Sequence, residues 1–134
     1  MKSVKFILAS AALLVGVSAM AQDFSDDAKY GKWGATVEER ASNIGASNFL
    51  KEAIDAKDYA AATVHFQQLL NNCPAASQNT FARGVTIYKN KVARARTLDE
   101  KRMYIDSILY IYDQRIVHFG NHPKNGKDYI LDMK

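Results

Sequence analysis

The chain has 134 residues, 18 of them basic and 14 acidic, for a formal charge of +4, and it contains one cysteine. A single cysteine excludes an intramolecular disulfide, so the core must hold without a covalent staple. The basic excess does not mark a nucleic-acid binder, because part of it belongs to the first residues, whose role is targeting.

Met1-Lys2-Ser3-Val4-Lys5 is a short basic start, and Phe6 to Ala19 carries no charge. These are the n-region and h-region of a signal peptide, and Ala19-Met20-Ala21 before Gln22 supplies the small residues of a cleavage site. The apolar run is shorter than the roughly 20 residues that a spanning helix needs. Removing residues 1–21 takes Lys2 and Lys5, so 18 basic residues fall to 16 against 14 acidic ones, a balance of +2. Gln22 rather than a cysteine stands directly after the cut, which leaves nothing there for lipoprotein acylation. The expected mature protein is extracytoplasmic, in the periplasm or on the outer envelope, with no transmembrane segment.

Residues 22–35 mix Asp23, Asp26 and Asp27 with Gly31, Gly34, Tyr30 and Trp33, and are expected to form a loose leader with Trp33 hooked onto the first helix. The helical repeat domain is expected over 36–134. Thr36-Val37-Glu38-Glu39 is a capping box that opens helix one, which should run to about Ala56 with Val37, Ala41 and Ile44 on an early apolar face and Phe49, Leu50, Ala53 and Ile54 on later ones. Glu38 and Glu39 resemble an acid/base pair, but negative charge in a first turn is what the helix dipole favours.

Lys57-Asp58 makes a tight connection. Tyr59, Ala62, Phe66, Leu69, Leu70 and Cys73 then recur at three- and four-residue steps until Pro74 stops helix two. Cys73 continues this stripe and should be buried and inert. Ser77 caps a third helix with the stripe Phe81, Val85, Tyr88, Val92 and Ala95, and the box Thr97-Leu98-Asp99-Glu100 opens a fourth.

Helix four places Leu98, Ile105, Ile108, Leu109, Tyr112 and Ile116 on one side, Met103, Tyr110 and Val117 on a second, and Tyr104 and Ile111 on a third. Being apolar nearly all round, it should be sandwiched, with the segment after Pro123 or a partner covering Tyr110 and Val117. Gly120 suits a left-handed helix terminus. A further helix is expected from about residue 123. The absence of a C-cap after it suggests either a longer array or a last helix that docks on another protein.

Two helical hairpins, 36–74 and 77–119, each near forty residues with short connections, suggest a solenoid rather than a four-helix bundle. The stretch from Asp58 and Tyr59 through Ala62 and Phe66 to Pro74 resembles the second half of a tetratricopeptide repeat. The resemblance implies that Ala62 lets the helices of one hairpin approach, that Phe66 fills the space between hairpins and that Pro74 ends the second helix. The first half departs from the pattern, with Ala46 in place of a large residue, Leu50 in place of a small one and Ala53 in place of tyrosine; Leu69 also replaces a usual alanine. The fold implied is all-α, with antiparallel hairpins stacked as a short right-handed solenoid. Similar signal-bearing proteins of Gram-negative envelopes usually hold other proteins.

No phosphate loop, dinucleotide fingerprint, nucleophile elbow or Cys-x-x-Cys motif occurs, so no catalytic residue, metal site or cofactor is expected. His118 and His122 have zinc-ligand spacing on a helix, but Gly120 and Pro123 interrupt it, and two exposed turn histidines are the simpler reading. The candidate partner surface comprises Tyr104, Tyr110 and Ile111, because tyrosine offers large contact area at low entropy cost, together with the basic residues Arg83 and Arg94 facing an acidic partner or anionic headgroups. The functional expectation is a non-catalytic protein-interaction or scaffold module, peripheral to the envelope. The alternative is an accessory protein binding glycan or peptide in an aromatic-lined groove. A pocket with aromatics beside polar groups would favour the alternative, and a flat or concave tyrosine-rich face the scaffold.

Intact-mass measurement of the exported product should give a chain that begins at Gln22. A product that retains Met1 would remove the basis for an extracytoplasmic location.

Overall fold

The computed structural model describes residues 22–134; the expected signal segment, residues 1–21, lies outside them. Four long helices follow in order, α1 (Val37–Asp55), α2 (Tyr59–Asn72), α3 (Gln78–Arg94) and α4 (Leu98–Phe119), and a shorter α5 (Lys127–Met133) comes last. No strand occurs among the described residues, and the fold is all-α.

Side-chain caps set the helix starts. Thr36 Oγ1 accepts from the Glu39 N–H, and the Glu39 carboxylate accepts in return from the N–H groups of Thr36 and Ala35. At α4, Thr97 Oγ1 accepts from the Glu100 N–H, but the Glu100 carboxylate reaches one residue further back, to the Arg96 N–H at 2.9 Å. Asp58 and Ser77 cap α2 and α3.

The turn between α1 and α2 is a Schellman motif: the Asp58 N–H donates to Ala53 O at 2.8 Å and the Lys57 N–H to Ile54 O at 2.9 Å. Lys57 occupies the left-handed position with φ 57°, where glycine is the usual residue. Gly120, expected to be left-handed, instead has φ −60° and still donates to Ile116 O as a helical residue does. The reversal after α4 falls later, where the Lys127 N–H returns to Gly120 O, so the last helix begins at Lys127 rather than near residue 123.

Helices α1 and α2 pack as one pair and α3 and α4 as another; α2 and α3 join the pairs, with α1 also touching α3 and α5 resting on α4. Leu50, Phe66, Leu69, Phe81, Ile87, Ile111 and Ile130 are fully buried at the centre. The joint depends on a close approach. A Cβ built on Gly84 would lie 2.4 Å from the Phe66 ring, so the ring rests on the bare backbone of α3. Tyr88, one turn further along α3, meets Phe66 edge-on at 6.4 Å.

The leader is not loose. Residues Asp27–Tyr30 form one helical turn and Gly31–Trp33 a 3-10 turn, and Phe24 is buried. Arg40 holds them: its Nη1 donates to the carbonyls of Phe24 and Ser25, its Nε to Gly34 O, and its Nη2 pairs with the Asp27 carboxylate. Asn43, one turn on, donates to Trp33 O at 2.7 Å and accepts from Gln68 and Asn72 of α2. The inward face of early α1 is therefore Arg40, Asn43, Ala46 and Leu50, whereas Val37, Ala41 and Phe49 are exposed. The expected apolar face was displaced because these two polar side chains are satisfied by backbone groups, which removes the penalty of burying them.

The segment after Pro123 does not cover the second apolar stripe of α4. Met103, Tyr110 and Val117 are 55%, 54% and 70% exposed. The last helix covers a different side of α4, burying Ile130 in the common core, setting Tyr129 under the Arg115 guanidinium and pairing Lys134 with Asp113.

Phe66→Ala should destabilise the chain by about 3–5 kcal/mol. Gly84→Ala should also destabilise it, even though alanine is the better helix former by about 1 kcal/mol, because its methyl group collides with the ring. In a Phe66→Leu background, Gly84→Ala should cost less. Urea denaturation of the four-member cycle measures this; a Gly84→Ala chain more stable than the parent would mean that the close approach does not join the helix pairs.

Candidate functional site

A groove of about 730 Å³ runs between α2 and α4. Its α2 wall is Phe66, Gln67, Leu70 and Asn71, and Tyr88 of α3 contributes between the two walls. The α4 wall carries Asp99, Arg102, Met103, Asp106, Ser107, Tyr110 and Ile111. Helical geometry builds it: Phe66 and Leu70, four apart on α2, and Met103, Ser107 and Tyr110 on α4 each fall on one side of their helix.

Of the residues anticipated as a partner surface, Tyr110 stands on the rim and is more than half exposed. Ile111 also borders the groove but is only 2% exposed and belongs to the central core. It is corrected from a surface contact to a core residue, because the 100° step between neighbours turns it inward while Tyr110 faces out. Tyr104 is half-buried with its ring 6.3 Å from Tyr88, and Lys91 lies over both rings, at 5.8 Å and 4.9 Å. Arg83 is half-buried and Arg94 exposed, and neither lines the groove. Tyr59 is half-buried against the core, Ala62 is buried beside Phe66, and Pro74 follows Cys73 at the end of α2.

Leu70, which the sequence places in the α2 stripe, Asp99, which it places in a capping box, and Asp106 also line the groove. A signal was available: Asp99, Asp106 and Asp113 recur every seven residues beside the equally spaced Met103, Tyr110 and Val117. Neither Asp99 nor Asp106 has a cation within ion-pair distance among the described residues, whereas Asp113 holds Lys134 at 2.6 Å.

A second groove of about 700 Å³ lies between the start of α1 and the end of α2, where Glu38, Glu39, Ser42, Asn43, Asn71 and Asn72 supply polar groups beside Gly34 and Ala35. The hydrogen-bonding groups of Glu39 and Asn43 are already committed to the cap and the leader. The two C-terminal histidines have separate roles: His118 stacks on Phe81 with centroids 6.1 Å apart, and His122 Nδ1 accepts from the N–H groups of Lys124 and Asn125 in the turn. Among the described residues, no three His, Cys, Asp or Glu side chains converge as metal ligands, and no helix is long and apolar enough to cross a membrane.

Cys73 is buried, and burial pushes its thiol up to about 11. The folded state thus disfavours the thiolate, and this contribution to stability is present below pH 9 and lost as the pH rises toward 11. Alkylation at pH 8 should be slow in the native chain and fast in urea. Cys73→Ala should flatten the fall in stability between pH 9 and 11, measured against the wild-type curve; equal slopes would show that the thiol is not desolvated. Neither a protein-family model, nor a curated protein, nor a solved structure matches the chain.

Proposed function

We propose that the chain is a non-catalytic interaction module of the bacterial cell envelope, exported by its N-terminal signal, that holds a protein partner in the groove between α2 and α4. The observation that carries this reading is the row Met103, Tyr110 and Val117, three large apolar side chains exposed along one helix and continuous with the groove rim. Several large apolar side chains exposed along one helix face mark a contact site, and tyrosine at such a place is a common interface anchor.

The resemblance to tetratricopeptide repeats supports a scaffold role. Consecutive helix pairs meet through α2 and α3, Phe66 lies at that meeting, and Pro74 follows the end of α2. Such an array of paired helices offers extended rather than enclosed surfaces.

A second reading, an accessory protein for a glycan or short peptide, draws on the same groove, since Phe66, Tyr88 and Tyr110 stand near Gln67, Asn71 and Asp106. The length of the exposed row favours a macromolecule: it continues to Val117, beyond the groove's own lining.

A photo-crosslinking amino acid placed at position 110 in the exported protein should give a discrete protein adduct in cells, and the same probe at exposed Glu52 should not. A glycan ligand would leave position 110 without a protein adduct, and that result would end the scaffold reading.

A further inference from the structure

The rim of the groove is a patterned surface. On α4, Met103, Tyr110 and Val117 form one row with seven-residue spacing, and Asp99, Asp106 and Asp113 form a parallel row beside it. From Met103 to Val117 the apolar row covers 15 residues, and its steps of 1.5 Å make about 21 Å of helix. A row of this period drifts by about 20° per seven residues on a straight helix, so an object that follows it wraps with a left-handed twist. Another α-helix, with apolar residues alternating at three- and four-residue steps, meets that requirement.

Charge selects which helix. Without residues 1–21 the chain carries two more basic than acidic residues, yet the α4 wall of the groove presents the carboxylates of Asp99 and Asp106 against the one guanidinium of Arg102. No ion pair joins Arg102 to either aspartate, and neither aspartate meets any other cation among the described residues. Across from them α2 contributes only the neutral polar groups of Gln67 and Asn71.

A second copy of this chain is a poor occupant. In a parallel pairing of α4 with itself the acidic row would meet its own copy, and in an antiparallel pairing it would lie against the apolar row. Like charges or desolvated carboxylates result in either case.

Resting on the reading of the groove as a partner site, we infer that its occupant is a basic amphipathic helix of about four turns, with its apolar face on Met103, Tyr110 and Val117 and lysine or arginine side chains over Asp99 and Asp106. The complementary charges orient the helix and speed its encounter, and the apolar row supplies most of the affinity.

The test uses two designed peptides with the same leucine pattern at alternating three- and four-residue steps, one flanked by lysines and one by glutamates, titrated against the mature chain by fluorescence anisotropy. The lysine peptide should bind at least tenfold more tightly, with an affinity that falls as salt rises. Asp99→Asn/Asp106→Asn should reduce the preference to less than threefold, while Glu52→Gln/Asp132→Asn, the same charge change elsewhere, should keep it. Tyr110→Glu, checked by circular dichroism for an unchanged fold, should abolish binding of the lysine peptide. Equal binding of the two peptides, no binding of the lysine peptide, or a preference that survives Asp99→Asn/Asp106→Asn would overturn the inference. These results remain separate from the parent reading, because a protein adduct at position 110 combined with no preference for lysine would leave a partner site whose occupant is not a basic helix.

Discussion

The contact of the Phe66 ring with the backbone of Gly84 is the constraint on which the arrangement depends. Each helix pair can bury one face by itself, but a common core requires the pairs to approach closely, and the approach is limited by whatever lies between α2 and α3. An aromatic ring on one side and no side chain on the other lets the backbone of α3 come within contact of the ring. Tyr88 extends the contact along α3, and the Tyr88 ring then stands between the walls of the groove. The groove is thus a by-product of the joint, since the residue that locks the pairs together also contributes to its lining.

The four long helices were legible because their boundaries are written in local chemistry. Thr36 with Glu39, Asp58, Ser77, and Thr97 with Glu100 are all within a few residues of the amides they satisfy, and Pro74 stops α2 by its own ring. Early α1 was not legible, because its buried face is made by Arg40 and Asn43, residue types that periodicity counts as surface. Their burial depends on carbonyl groups 6 to 16 positions away in the chain, and nothing in a helical repeat reports on partners at that distance. The same limit hid Gly120, whose right-handed conformation follows from the hydrogen bonds of the turn after it.

The groove was partly legible. Tyr110 could be named, but the adjacent Ile111 could not be told from it, since α4 is apolar on three sides and the sequence does not say which side meets α3. The contacts of α5 with Arg115 and Asp113 leave Met103, Tyr110 and Val117 uncovered. The acidic row is a local pattern and was present in the sequence, but its meaning requires knowing that the neighbouring apolar row is exposed.

Arg40 binds the leader chiefly through main-chain oxygens, those of Phe24, Ser25 and Gly34, with Asp27 the one side chain involved. Main-chain oxygens are the same for every amino acid. The arginine therefore measures how many residues lie between its contacts rather than which residues they are. Substitution along the surface of the leader is tolerated by such an arrangement, while insertion or loss of a single residue between positions 25 and 34 shifts the carbonyls out of reach together. In sequence divergence this segment would drift in composition at constant length.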